Sequence, residues 1–551
     1  MRKTLITLGL CFAFSAFTFA QATEAGTGPR LEVDQYGQLV ETLPVEITVR
    51  NGVTWFENRE RGYRFWFDAR VQVDFANYHA LRNGIIGLPH GEYFGNGLFA
   101  HPDAMESMPG GISLRRVRFA IKADLNHNWY AEVDFSAANG EFGLQDAYIQ
   151  FNGLRHFMFR VGNFKEDFSM EYTTSSRFVT MMERPMNITA FNFTRRLGFQ
   201  AKFHHEDMPW WRLSGGVTGQ EIDGWEIRTN QTVNMVRASR GQGPNFTGKV
   251  VLMPWATNPD QGLHFGYNIQ RRSTRWFDDD NGLNWGADNQ RQWNAVRTSS
   301  RNATHINRTS MLDTRWINGV NHSLFQGVEL AGFLRGWRFG SEFIWMDAVM
   351  NRDLPNFPTL AAITGSSNYA AISQEFGLTG QQMLDRYAEN HRFWGFYAYV
   401  GKILFGGHQR YDISQSEFTR PTRGRSWGDI EVLFRYDYLN LNNNHRNEAM
   451  QMLSGNGAAR NTIWGQAGGS AHNFTFGVNY WINSNMRFMV NYTISRTDRF
   501  ANSGGHTSNW ANRNVAVGRD ADGNFTGNPF AVVSDPGISF NTLQMRLEIA
   551  F

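Results

Sequence analysis

Segment after segment of this chain alternates apolar and polar residues with a period of two, and the polar set is repeatedly charged. In YRFWFDARVQVDF (63–75), Arg64, Trp66, Asp68, Arg70 and Gln72 share one parity. Phe65, Phe67, Ala69, Val71 and Val73 share the other. In residues 116–125, Phe119, Ile121, Ala123 and Leu125 oppose Arg118, Lys122 and Asp124. Such a period is that of a β-strand, whose successive side chains point to opposite faces. A soluble core is a poor place for so many charged faces, because an unpaired buried charge is costly. The wall of a water-filled channel suits both faces, one turned to lipid and the other to water.

Aromatic residues make up 15% of the chain, yet the mean hydropathy is −0.45. Beyond the N-terminus no apolar run approaches the roughly 20 residues of a membrane helix. Many aromatics, low hydropathy and no spanning helix together indicate a transmembrane β-barrel. Alternating segments fall at 63–75, 116–125, 129–136, 145–151, 156–162, 197–204, 211–218 and 247–254. Others fall at 264–271, 324–331, 337–345, 393–405, 429–438, 473–481, 486–495 and 541–551. The fold class expected is therefore all-β: a transmembrane antiparallel β-barrel of about 16 strands with long extracellular loops. Tight turns are expected at 126–128 and at Asn152–Gly153. Long polar insertions fall at about 219–245, 276–315, 350–390 and 498–535. Within the third, Met383, Leu384 and Tyr387 predict a short amphipathic helix. The last strand sets Leu543, Met545, Leu547, Ile549 and Phe551 against Gln544, Arg546, Glu548 and Ala550.

The chain opens with Arg2 and Lys3, an apolar run and small residues at Thr18 and Ala20. Residues 1–20 read as a secretory signal peptide. The one cysteine, Cys11, lies inside it, so disulfides and cysteine-ligated metals are not expected in the mature chain. Residues 21–58 are expected to form an N-terminal periplasmic or plug segment, and 59–551 the barrel. A formal charge of +3 gives no reason to invoke nucleic acid. There is no HExxH, no GxSxG and no glycine-rich phosphate loop between strand and helix. The acidic turns at 351–356 and 278–280 read as solvated loops. No enzyme activity, cofactor or metal site is expected.

The positive signal is electrostatic. Only 6 of the 53 basic residues are lysine, and arginine offers oxyanions a fixed fork of donors. Arg70, Arg115, Arg116, Arg118, Lys122 and Arg160 lie on or beside candidate strands, so a polar interior is their natural place. Asp68, Asp124, Glu132 and Asp134 share that interior and are available to pair with them.

Residues 110–184 resemble the phosphate-selective porin family, O/P type. The resemblance is carried by LRRVRFAIKADLNHNWYAEVDFS, LQDAYIQFNG and RVGNFKEDFSMEYTTSSRFVTMMERP. It implies an outer-membrane porin of a Gram-negative bacterium, a homotrimer of sixteen-stranded barrels with pores narrowed by inward loops and lined by arginines. Arg70 matches a family pore arginine, and Arg115 and Arg116 match its paired arginines. Gln145 and Tyr172 stand where phosphate-selective members have an aspartate and a lysine. Arg271, Arg272 and Arg275 correspond to later ladder arginines by region only. The function implied is passive diffusion of small anionic or polar solutes, phosphate among them. Outer-membrane lipid and lipopolysaccharide are the expected surroundings. The alternative is a plugged structural barrel with a heteromeric outer-membrane partner and little or no transport.

Overall fold

A computed structural model describes most of residues 30–83, 110–219, 241–277, 294–443, 467–498 and 538–551. The expected leader, residues 1–20, and the acidic run 278–280 lie outside the described residues. Sixteen antiparallel strands close into a barrel, each joined to its sequence neighbour. They are β1 (Tyr63–Asn83), β2 (Gly111–Leu125), β3 (Trp129–Ser136), β4 (Gly143–Leu154), β5 (Phe157–Lys165), β6 (Arg195–His204), β7 (Trp211–Thr218) and β8 (Asn245–Leu252). The remaining eight are β9 (Gln261–Ser273), β10 (Val320–Leu334), β11 (Trp337–Met350), β12 (His391–Ile403), β13 (Asp429–Asn442), β14 (Ala467–Trp481), β15 (Met486–Asp498) and β16 (Ile538–Ala550). Each alternating segment of the sequence falls on one of them.

Closure is made by β16 against β1, from Ala550↔Arg70 to Ile538↔Asn83. The seam ends in paired bonds, Ala69 N to Phe551 O at 2.6 Å and Phe551 N to Ala69 O at 3.0 Å. Closing a sheet on itself leaves no unpaired edge. Below the seam β1 continues, and Trp55↔Trp66 to Asn58↔Tyr63 pair it with the hairpin Glu46–Arg50/Val53–Asn58. Residues 46–58 therefore extend the wall. Gly52 turns this hairpin at φ +80, and a Cβ there would fall within 2.6 Å of the Asn485 amide.

The barrel is inverted relative to a soluble protein. Leu213, Phe199, Phe476 and Val478 are exposed on the outside, whereas Arg212, Arg338, Arg487 and Arg546 are among its most buried side chains. The lumen is not simply water. Residues 166–194, between β5 and β6, fold inward and carry two short helices, α1 (Met170–Thr173) and α2 (Met186–Ala190). Phe168, Tyr172, Ile188, Phe191 and Phe193 pack there against Phe325, Ile344, Phe393, Tyr397 and Leu439 of the wall. Leu312 and Ile317, from the β9–β10 connection, join the same cluster. The helix expected in 350–390 is present: α4 (Gly380–Tyr387), which follows α3 (Leu360–Thr364), begins at a capping box of Thr379 and Gln382.

Most connections at the end of the barrel near residues 126–128 are tight. Residues 404–428 are the exception. They fold back into the lumen, where Tyr411 OH lies 2.6 Å from His264 Nδ1 and Phe418 packs with Met170, Ala331 and Phe333. Strand alternation carries no information about this insertion.

If the outer surface faces lipid, an arginine at its middle is costly. Phe476→Arg should destabilise the folded barrel by about 2–4 kcal/mol, read by urea-dependent folding into lipid vesicles. Asn479→Asp, on the lumenal face of the same strand, should not show the same dependence on lipid.

Candidate functional site: the lumenal constriction

Residues 166–194 are held across the lumen by a complementary backbone network. Carboxylates of the wall accept from loop N–H groups: Glu329 from Met170 at 2.8 Å, and Glu342 from Glu171 at 2.7 Å. Wall donors reach loop carbonyls: Arg435 to Glu183 O at 2.8 Å, Arg487 to Val179 O at 3.1 Å, and Asn479 to Thr180 O at 3.0 Å. Arg546 donates to Met182 O at 2.6 Å and holds Asp74 with two bonds of 2.7 Å. A buried loop must satisfy its own N–H and C=O groups, and this wall supplies the partners. On the other side Asp167 accepts from Ser214 at 2.9 Å and lies 3.2 Å from Arg212.

The loop leans on β9–β16 and leaves a gap of about 230 Å³ against β1–β6. Two β-bulges shape the surrounding wall. Gln72 pairs with Arg116 while Val73 pairs with Leu114, so Arg115 is an extra residue. A strict strand would send one member of this pair outward; the bulge brings both inside. Arg115 donates to Glu183 at 2.8 and 3.0 Å, and Arg116 to Gln72 at 2.8 Å. The second slip sets Asp134 opposite both Gln145 and Asp146. Gln145 then accepts from Arg118 at 2.9 Å and Arg195 at 3.1 Å.

The sequence-predicted residues thus divide. Arg70, Arg118, Lys122 and Arg160 line the gap. Arg70 donates to Ser176 of the loop. Lys122 lies 3.3 Å from both Asp68 and Glu132. Arg160 donates to Gln150 at 2.8 Å and stacks 4.3 Å above the Tyr148 ring. Arg115, Arg116 and Gln145 brace the surrounding network. Tyr172 is packed against Phe193 rather than facing the gap. An ammonium nevertheless sits beside it: Lys165 Nζ is 5.5 Å from its ring and donates to Tyr172 O and Thr173 O at 3.2 Å. Of the regional candidates, Arg272 stacks 4.4 Å over Phe325, Arg271 points outward, and Arg275 lies outside the described residues. Sequence reasoning did not single out Lys165, Arg195, Lys202 or Asp146. The rarity of lysine is the signal that could have found two of them.

The hairpin 411–418 divides this gap from a second cavity of about 700 Å³ at the tight-turn end, lined by Met253, Trp255, His264, Phe333, Tyr411 and Phe418. Gln415 faces the first cavity and accepts from Lys202 at 3.1 Å.

With this geometry in place, comparison with known proteins is decisive for the family. Residues 96–519 match the family model described as phosphate-selective porin O and P. The chain belongs to this family. It is 21% identical to Porin O of Pseudomonas aeruginosa over 503 residues, which cover 90% of this chain and 95% of that protein. It is 23% identical to an uncharacterised protein of Caulobacter vibrioides over 404 residues, 73% of this chain and 66% of that one. Among solved structures it is similar to the outer-membrane channel DcaP of Acinetobacter baumannii, with a TM-score of 0.42 and 9% identity. That match covers 90% of this chain and 99% of the other. Membership places the barrel in the outer membrane and gives it a transport role rather than a catalytic one.

Burial pushes the Glu183 carboxyl up, but Arg115, and after it Arg546 and Arg116, hold it well below the ordinary glutamate range. A carboxylate depressed in the folded state contributes stability that is complete above the unfolded pKa and lost as pH falls through the folded one. The difference in protease protection of residues 166–194 between the native protein and Glu183→Gln should therefore stay constant between about pH 5 and 8 and shrink only in stronger acid. Glu183→Gln should cost about 2 kcal/mol at neutral pH and flatten that acid limb, checked by denaturant unfolding in detergent.

Proposed function

We propose that this protein is a porin through which small anionic or polar solutes diffuse passively along the gap between residues 166–194 and the β1–β6 wall. The observation that carries this reading is the set of fixed cations, Arg70, Arg118, Lys122 and Arg160, facing that gap. Fixed cations raise the local concentration of anions and offer successive weak sites, as conduction requires. The tight-turn end is taken as periplasmic and the long loops as extracellular, the usual arrangement of such barrels. The mature chain starts after the leader at residues 1–20, and the working unit is a homotrimer.

The family description supports phosphate as one solute, but two positions favour a broader choice. Gln145 brings no charge, and Tyr172 is packed away from the gap. The lumenal filling by residues 166–194 and 404–428, joined by Leu312 and Ile317, supports a second reading, a plugged barrel that binds an outer-membrane partner.

Purified mature protein in a planar bilayer under a potassium chloride gradient separates these readings. An open channel whose zero-current potential moves toward potassium when Arg70 or Arg118 is replaced by glutamine is the expected result. Absence of any current would favour the plugged barrel. Crosslinking in detergent should give trimers, and monomer alone would count against the trimer.

A further inference from the structure

The charges around the gap are not those of a simple anion filter. Seven basic side chains and six carboxylates line it. They are also ordered in space. Arg70 and Arg118 stand on β1 and β2, beside the ion pair of Asp68 and Lys122 on the same strands. Glu132, Asp134 and Asp146 form the middle band on β3 and β4. Arg160, Lys165 and Arg195 follow at β5 and β6. Ligand oxygens of the three middle carboxylates lie within 4.8 Å of one another.

These groups are largely ion-paired, Lys122 with Asp68 and Glu132, Arg195 with Asp146, and Arg118 with Asp134 at 3.7 Å, but their hydrogen bonds are incomplete. Asp134 Oδ1 is buried and has no hydrogen-bond partner, and the same holds for the Nε atoms of Arg70, Arg118 and Arg195. These four atoms are out of reach of solvent, so a solute in the gap meets the other charged atoms of the same side chains. A bare divalent cation would suit the carboxylates poorly, because Lys122 lies 3.3 Å from Glu132 and Arg195 lies 2.8 Å from Asp146. A bare anion would meet the middle band as repulsion in a partly desolvated space, where charges interact strongly.

We propose that the constriction is built for small dipolar ions, solutes that carry an ammonium and a carboxylate together, such as neutral α-amino acids. The ammonium faces the Glu132–Asp134–Asp146 band while the carboxylate faces the arginines on either side. The volume of about 230 Å³ admits a solute as large as several waters, at about 30 Å³ each. This proposal rests on the channel reading above and names its solute class.

The test is osmotic swelling of proteoliposomes in L-threonine and in erythritol, an uncharged solute of similar size, with protein-free liposomes as baseline. Zero-current potentials in potassium chloride are recorded on the same preparation. Threonine should enter about three-fold or more faster than erythritol, with only weak ion selectivity. Asp134→Asn and Asp146→Asn should remove the threonine advantage and shift the channel toward chloride. Either effect must appear in a variant whose measured current shows that it is folded and open. An open wild-type channel that admits erythritol as fast as threonine, or that strongly prefers chloride, overturns this proposal and leaves the porin reading standing. No current and no swelling with any solute overturns the channel reading itself.

Discussion

The structure depends on the pairing between the wall and the backbone of residues 166–194. An inverted barrel has a largely polar interior, so its lumen must satisfy most of the polar groups that it removes from water. Arg435, Arg487, Arg546 and Asn479 do so by donating to loop carbonyls, and Glu329 and Glu342 by accepting from loop amides. The same groups that fix the loop therefore account for many of the charges that the sequence displays on its strands. They are positioning groups, and the cations left facing the gap are a smaller set.

This explains why the lumen is asymmetric. The β9–β16 side meets the loop and, together with it, forms an apolar cluster around Phe325, Phe393, Tyr397 and Leu439. The β1–β6 side keeps its charged residues free of that cluster and lines the gap. Residues 404–428 add a second inward segment at the opposite end, and through Gln415 and Glu417 they also contribute to the gap. On the proposed path a solute would meet one flank of the barrel and the inward segments, not the whole circumference.

Much of this was legible in the sequence because β-strands advertise themselves by a period of two. The alternation in residues 541–551 correctly separates buried Arg546 and Glu548 from outward Leu547. It fails where the backbone breaks the period. The bulge at Arg115 and the one opposite Asp134 decide which of two adjacent side chains enters the lumen, and no local pattern marks either slip. Periodicity is equally silent about where a loop goes. The family resemblance leads one to expect Tyr172 at the pore, yet it packs against Phe193. The inward Phe325 and Phe393 likewise alternate as any strand residue does, and only the loop resting on them explains why they face inside.

The account turns on one claim, that the gap beside residues 166–194 is the path. Ser175, on the loop, lines it. On a background without Cys11, Ser175→Cys can be labelled with a bulky, membrane-impermeant thiol reagent during a single-channel recording. The account predicts a stepwise fall in conductance on labelling, reversed when the label is reduced off. Conductance that stays unchanged at full labelling would contradict it and place the path elsewhere.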